Sequence, residues 1–305
     1  MPKRRALLLV NVKSRRGEAD FVTAVDLLRR HDFDLIERST LDAGEIPQII
    51  RRHREMVDCV IIGGGDGTLN AAAAALSEAG LPLGILPMGT ANDFARTLGI
   101  PTALPDACKI ITEGVLHAVD LGSVNGKYFL NVASMGLSVE CARRLTGEVK
   151  RRWGVLGYAI SAVDALKASR SFRASITCDG EHHRFRSIQI AVGNGRHYGG
   201  GLTVAEDAAI DDARLDLYSL EPQSVWKLIR LIPAMRSGRH GQWPGVDVLH
   251  GQHIRIDTDR PMRINTDGEL TTRTPAEFRV IAGALSVFVS ESYLRARKEA
   301  GRAQG

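Results

Sequence analysis

Residues 63–70 read Gly63-Gly64-Gly65-Asp66-Gly67-Thr68-Leu69-Asn70, the stretch of the chain whose residue types most plainly serve chemistry. Four glycines let a main chain close around an anion without Cβ clashes. Before the run comes Val57-Asp58-Cys59-Val60-Ile61-Ile62, apolar and β-branched as a buried parallel strand is. After it come Ala71 to Ala75, Leu76, Ser77 and Glu78, a strong helix former ending at Gly80. A glycine turn between a strand end and a helix start offers free N–H groups and the positive end of the helix dipole, which together suit a phosphate. Asp66 would repel a bare phosphate, and a divalent cation between the two removes the conflict, so the turn points to Mg²⁺-nucleotide. No Gly-Lys-Ser/Thr follows, which excludes a Walker A loop, and the G-x-G-x-x-G spacing of a dinucleotide fold is absent.

Three further stretches bring polar groups to turns, and each has a plain structural reading beside a functional one. In Pro87-Met88-Gly89-Thr90-Ala91-Asn92-Asp93-Phe94-Ala95-Arg96, Thr90 can cap a helix with Asn92 and Asp93 in its first turn, or Asp93 can supply a second carboxylate near the phosphate turn. Ala209-Ile210-Asp211-Asp212-Ala213-Arg214-Leu215-Asp216 sets carboxylates before a strand, as a hard-cation site or as turn formers. Asn265-Thr266-Asp267-Gly268-Glu269 is a tight turn in which Asp-Gly calls for positive φ, with Glu269 either a general base or merely the residue after a hairpin.

The elements that must position these groups fall into two patterns. Through residue 120, strand and helix alternate: strands over 6–12, 33–36, 57–62 and 83–86, helices over 18–30, 46–54 and 71–79. This is a doubly wound α/β order, whose ligands sit beyond the carboxyl ends of the strands. From 121 to 289, strand-like stretches follow one another through short turns, with Asn125-Gly126 and Asp179-Gly180 as hairpin signals, an antiparallel β-sandwich. Helical insertions are expected near 138–168 and 223–237, and residues 290–305 as a frayed tail.

A chain of 305 residues with 44% apolar and 25% charged residues is ordinary for a soluble two-domain protein. No apolar run approaches the roughly 18–20 residues of a membrane span. The start, Met1-Pro2-Lys3-Arg4-Arg5 before Ala6-Leu7-Leu8-Leu9-Val10, imitates a signal peptide but lacks a cleavage site and reads as a first strand. Cys59, Cys108, Cys141 and Cys178 lie far apart and read as reduced thiols of a cytoplasmic protein. Charge is uneven: residues 1–120 carry 14 Lys/Arg and 16 Asp/Glu (net −2), residues 121–305 carry 26 and 19 (net +7). A basic second part suits an anionic surface. Arg143, Arg144, Lys150, Arg151 and Arg152 against Glu148, followed by Trp153, could dock on headgroups or form an ordinary solvated helix end. No nucleic-acid recognition motif is visible.

Together these blocks resemble the bacterial lipid kinases of the diacylglycerol kinase catalytic-domain family, relatives of sphingosine and ceramide kinases. The likeness runs along nearly the whole chain: the polar end of the first strand, Gly-Gly-Asp-Gly-Thr, Pro-x-Gly-Thr-x-Asn-Asp-x-Ala-Arg, the Asp-Asp turn and Asp-Gly-Glu. It implies an N-terminal nucleotide domain of the phosphofructokinase and NAD kinase type, a C-terminal β-sandwich, and ATP with Mg²⁺ as cofactors. By resemblance, Asn11, Val12, Lys13, Ser14, Arg15, Thr40, Gly64 to Asn70 and Thr90 hold ATP. Ala209, Asp212 and Arg214 hold a cation through one carboxylate and two carbonyls, Asp66 and Asp93 act on Mg²⁺ through water, and Glu269 takes the proton of the lipid hydroxyl. The implied partner is a lipid at a membrane surface, with anionic phospholipid, on the cytoplasmic face; oligomeric state, a dimer included, is left open. Three departures are Val12 and Glu206 where the family often has Pro, and Ala213 where Gly is usual. An NAD kinase-like enzyme with a soluble acceptor, or a catalytically weak lipid- and nucleotide-binding pseudokinase, are the competing readings.

Overall fold

The computed structural model describes residues 3–11, 17–31, 33–40, 42–139, 170–223 and 225–304. The chain forms two compact units, Met1–Leu121 with Ala282–Gly305, and Gly122–Ile281.

The first unit alternates as its sequence does: β1 (Arg4–Asn11), α1 (Gly17–Arg30), β2 (Phe33–Thr40), α2 (Ile46–His53), β3 (Cys59–Gly64), α3 (Asp66–Ala79), β4 (Leu83–Pro87), α4 (Asp93–Thr97) and α5 (Leu104–Glu113). Ala6 to Val10 are at most 1% exposed and β3 and β4 are buried throughout, as strands covered on both faces must be. The strands lie in the order β2-β1-β3-β4, all parallel. Helices pack in two pairs, α1 with α5 and α2 with α3. From β1 the chain crosses to β2 on one side and then to β3 on the other. The order therefore reverses between β1 and β3, and a doubly wound sheet receives its ligand beyond the carboxyl ends of the two strands at such a point. Those ends are Asn11 and Gly64.

The second unit is antiparallel. It contains the end of β5 (Val115–Val124), then β6 (Lys127–Phe129), β7 (Val132–Gly136), β8 (Phe172–Cys178), β9 (Glu181–Ser187), β10 (Gln189–Gly193), β11 (His197–Tyr198), β12 (Leu202–Thr203) and β13 (Leu215–Leu220). Next come α6 (Val225–Ser237), β14 (Val246–Gly251), β15 (His253–Thr258), β16 (Arg263–Thr266), β17 (Glu269–Arg273) and the first half of β18 (Ala276–Val289). One sheet runs β14-β13-β10-β7-β16-β17, and the other carries β18-β15-β8-β9. Phe129, Met135, Phe172, Ile176, Ile190, Leu217, Ile254, Ile264 and Phe278 fill the sandwich. Asn125 and Gly126 (φ 49° and 76°) and Asp179 and Gly180 (φ 46° and 93°) adopt the paired positive φ of type I′ hairpins, as their sequence required.

Two expectations are corrected. The division at 121–289 placed all of the last strand in the sandwich, but Ala282–Val289 of β18 returns to the first unit, where Val287 pairs with Leu83 of β4. The frayed tail over 290–305 is instead α7 (Glu291–Gln304). Ser290 Oγ accepts the Tyr293 N–H at 3.2 Å, and the Tyr293 ring meets His117 edge-on at 5.9 Å. Ser290, one residue before the acidic Glu291, is the helix start signal there. The helical insertion over 138–168 and its basic cluster lie almost wholly outside the described residues.

Cys59, Cys108 and Cys178 are buried and unpaired. Burial, reinforced by Asp58 and opposed by Arg4, pushes the Cys59 thiol up to about 12, and burial pushes Cys108 up to about 11. Thiolate is the reactive form. Native protein treated with iodoacetamide at pH 8 is therefore expected to leave Cys59 and Cys108 unmodified by mass spectrometry, and denatured protein to show both alkylated.

Candidate active site

The glycine turn is built by close packing. A Cβ on Gly63 would lie 2.8 Å from the Met88 sulfur, and one on Gly64 would lie 2.7 Å from Thr68. Gly65 and Gly89 touch backbone to backbone, since a Cβ on Gly89 would stand 2.4 Å from Gly65 Cα. Met88 N–H donates to the Gly64 carbonyl at 3.0 Å, continuing the pairing of β3 with β4 into the turn. Gly65 then serves as N-cap of α3, its carbonyl accepting from Thr68 and Leu69 at 3.0 and 3.1 Å.

Gly67 differs from its neighbours. A Cβ there would meet nothing within 4 Å, although the residue sits in the first turn of a helix, where glycine costs stability. Among the described residues there is no packing reason for glycine at this position. An open space over the N-terminus of α3, beside the sheet's switch point, is the cradle a phosphate needs. Asn70, one turn on, has its Oδ1 buried without a hydrogen-bond partner among the described residues.

Asp66 has a structural duty that its sequence concealed. Its Oδ1 accepts the Phe94 N–H at 2.9 Å and so caps the first turn of α4. The expectation that Thr90 caps this helix is corrected: the helix begins at Asp93, and Thr90 lies exposed in the preceding bend. Asn92, left-handed at φ 51°, directs its side chain back to Gly89, accepting from its N–H at 2.9 Å and donating to its carbonyl at 3.0 Å. With that side chain committed, the cap comes from Asp66. Asp93 is 4% exposed and paired with Arg96 at 2.5 Å. Asn92, Phe94 and Arg96 thus support the turn, a role that their place in the sequence did not show.

Of the other residues expected at the nucleotide, Asn11 and Thr40 end β1 and β2 directly opposite each other in register. Val12, Lys13, Ser14 and Arg15 lie outside the described residues. Thr68 and Leu69 are buried in the first turn of α3.

In the second unit the Asp-Asp turn is organised by Arg214. Its guanidinium lies 3.0 Å from Asp207, 3.0 Å from Asp216 and 3.7 Å from Asp212, and its N–H donates to Asp212 Oδ1 at 3.1 Å. Asp216, 1% exposed, also contacts His250 at 2.6 Å. Burial alone would raise the Asp207 carboxyl, but the hydrogen bond and charge of Arg214 hold it below its usual value. Burial would likewise lower Arg214, and Asp216, Asp207 and Asp212 together raise it. Asp216 Oδ2 and Arg214 Nε are buried without a hydrogen-bond partner among the described residues, and no three His, Cys, Asp or Glu side chains there group as a metal centre. Ala209 is buried beside the turn, and Ala213 has φ 54°, the left-handed form that costs a non-glycine residue roughly 1 kcal/mol.

Glu269 is exposed at the head of β17. The turn before it is tightly held. The Asp267 carboxylate accepts the N–H groups of Leu130, Asn131 and Val132 at 2.6, 3.0 and 3.0 Å, and Asn265 Oδ1 accepts from Gly268 at 2.8 Å. Asp267 and Gly268 have φ 48° and 103°, as the Asp-Gly pair required. The Asp267 anchor was not legible, because its partners lie over 130 residues away.

A parallel sheet with a glycine turn at its switch point, followed by an antiparallel sandwich carrying acidic turns, defines a nucleotide-type kinase scaffold. Residues 5–124 match the diacylglycerol kinase catalytic domain, and residues 131–289 match the YegS C-terminal NAD kinase beta sandwich-like domain. A Pseudomonas syringae pv. syringae protein named probable lipid kinase YegS-like is 32% identical over 299 residues, covering 94% of each chain. A Klebsiella pneumoniae protein of the same name is 32% identical, covering 92% of this chain and 94% of that one. The crystal structure of a diacylglycerol kinase from Bacillus anthracis str. Sterne superposes with a TM-score of 0.79 at 27% identity, covering 96% and 99%. The chain belongs to this YegS-like branch of the diacylglycerol kinase family, a family of lipid kinases.

Removing Arg214 would strand buried Asp216 beside Asp207 and Asp212. Arg214→Met is expected to lower unfolding free energy by about 3 kcal/mol at neutral pH, the low end for breaking a buried charge cluster. A carboxylate held below its ordinary pKa contributes stability above that ordinary value and loses it as pH falls through the folded one. The gap between parent and variant should therefore shrink below about pH 4, near the ordinary carboxylate pKa, as denaturant titrations across pH would measure.

Proposed function

We propose that the chain transfers the γ-phosphate of ATP, bound as its Mg²⁺ complex, to the hydroxyl of a lipid of the diacylglycerol type. The observation that carries this reading is the open space at Gly67 over the N-terminus of α3. Phosphoryl transfer needs the triphosphate held, its charge neutralised, and the attacking hydroxyl relieved of its proton. Main-chain N–H groups at Gly65 to Gly67 are suited to grip phosphate oxygens. Mg²⁺ supplies charge neutralisation and a template for the transferred group. Asp66, with one oxygen committed to Phe94, has its other oxygen to offer toward a cation through water. Glu269, exposed on a turn that Asp267 locks, is suited to accept the proton of the lipid alcohol. The names of the relatives support a lipid acceptor.

Two variants test the assignment. Gly67→Ala should fold as well as the parent or better, since alanine is the stronger helix former, yet raise the KM for ATP at least about tenfold by filling the cradle. An unchanged KM would remove the phosphate from this turn. Glu269→Gln should lower kcat at least roughly a hundredfold with ATP affinity little altered, the low end for losing a general base; near-normal turnover would remove Glu269 from that role. With labelled ATP and a panel of lipids, label should partition into organic solvent. Label confined to water-soluble product would point to a soluble acceptor instead.

A further inference from the structure

The outer face of the β8–β9 hairpin carries charge that no internal partner balances. Along β8, buried Phe172, Ala174 and Ile176 alternate with exposed Arg173 and Ser175. The register sets Arg173 directly opposite Arg186, and Ser175 opposite Arg184, so three guanidinium groups share one patch. Like charges opposed on one sheet face destabilise the pair. The carboxylates nearby are engaged elsewhere, Asp257 by Arg255 at 2.9 and 3.2 Å and Glu277 by the same Arg255 at 3.1 Å. Arg186 Nε finds only the neutral Ser171 hydroxyl, at 3.2 Å, and Arg260 donates to the Arg170 carbonyl at 3.2 Å. Among the described residues no ion pair includes Arg173, Arg184 or Arg186.

Guarding an open sheet edge accounts for part of this and not the rest. β9 ends its sheet, and arginines there discourage pairing with another chain. Arg173, however, stands on β8, between β9 and β15, where no edge needs guarding. The patch borders a shallow open depression of about 620 Å³ in which Asp259 is the one carboxylate not held by Arg255. Phe185, the aromatic ring of β9, packs against the sandwich core and also lines this depression, so the face offers one half-buried ring and no row of aromatics for stacking on successive bases. A broad face of guanidinium groups matches a plane of phosphate headgroups.

We propose that this face docks the protein on an anionic phospholipid bilayer. The choice of a bilayer rests on the lipid-acceptor reading above; the surplus of charge does not. The basic cluster noted at 143–152 lies outside the described residues and has no part in the inference.

The test is co-sedimentation of the full chain, without ATP, on vesicles of mixed phosphatidylglycerol and phosphatidylcholine at low ionic strength. The parent should bind these and not pure phosphatidylcholine. The variant R173Q/R184Q/R186Q should bind at least about tenfold more weakly, each basic residue contributing severalfold, while melting at the parent's temperature or above, since like-charge repulsion is relieved. Replacing Arg295, Arg297 and Lys298 of α7 by Gln removes the same charge elsewhere and should leave binding near the parent's. Unchanged binding by the hairpin variant, equal loss in the α7 control, or a parent that retains RNA but not vesicles would each overturn the proposal. Turnover separates this from the proposed function. The hairpin variant should phosphorylate a water-dispersed short-chain diacylglycerol normally and lose activity on vesicle-embedded lipid. A parent that phosphorylates no lipid yet binds anionic vesicles through Arg173, Arg184 and Arg186 would sink the activity and leave the docking face standing.

Discussion

Gly65 and Gly89 lie so close that neither can carry a side chain without moving the other's main chain. That contact arises because β3 and β4 are parallel neighbours whose carboxyl ends open into turns on the same side of the sheet. The rest of the first unit's site follows from it. Asn92 folds back to hold Gly89, α4 starts one residue later, and Asp66 reaches across to cap that helix. The helix N-terminus proposed to hold a phosphate is thereby braced from the adjacent strand. Pre-set dipoles of this kind need no reorganisation when charge develops.

Charge is handled in two opposite ways in the second unit. Around Asp216 the acids gather on one internal cation: Arg214 contacts three carboxylates and His250 touches the most buried of them. Such a cluster is costly to break and says little about net stability, since desolvation offsets attraction. On the β8–β9 face the arginines are left facing solvent and one another.

Ala213 stands in a strained turn beside this cluster. It adopts a left-handed φ of 54°, at a cost of roughly 1 kcal/mol for a residue with a Cβ. The turn is held by Asp212 accepting the Arg214 backbone N–H and by the guanidinium beyond it.

Much of this protein was legible before any coordinates. Strand and helix alternation, the switch to hairpins after residue 120, the I′ turns at Asn125-Gly126 and Asp179-Gly180, and the glycine turn all rest on preferences of a few consecutive residues. Those preferences are local, so the chain's own order states them. What the sequence hid has one cause. Asp66 as the cap of α4, Asp267 as an anchor for Leu130 to Val132, Arg214 as internal counter-charge, Arg173 opposite Arg186, and the return of β18 to the first unit all join residues far apart in the chain. Register and strand order decide such meetings, and neither is written in any short stretch. Residue types by themselves determined what chemistry was available; the tertiary structure decided which groups were left free to perform it, because only packing shows which polar atoms are already satisfied.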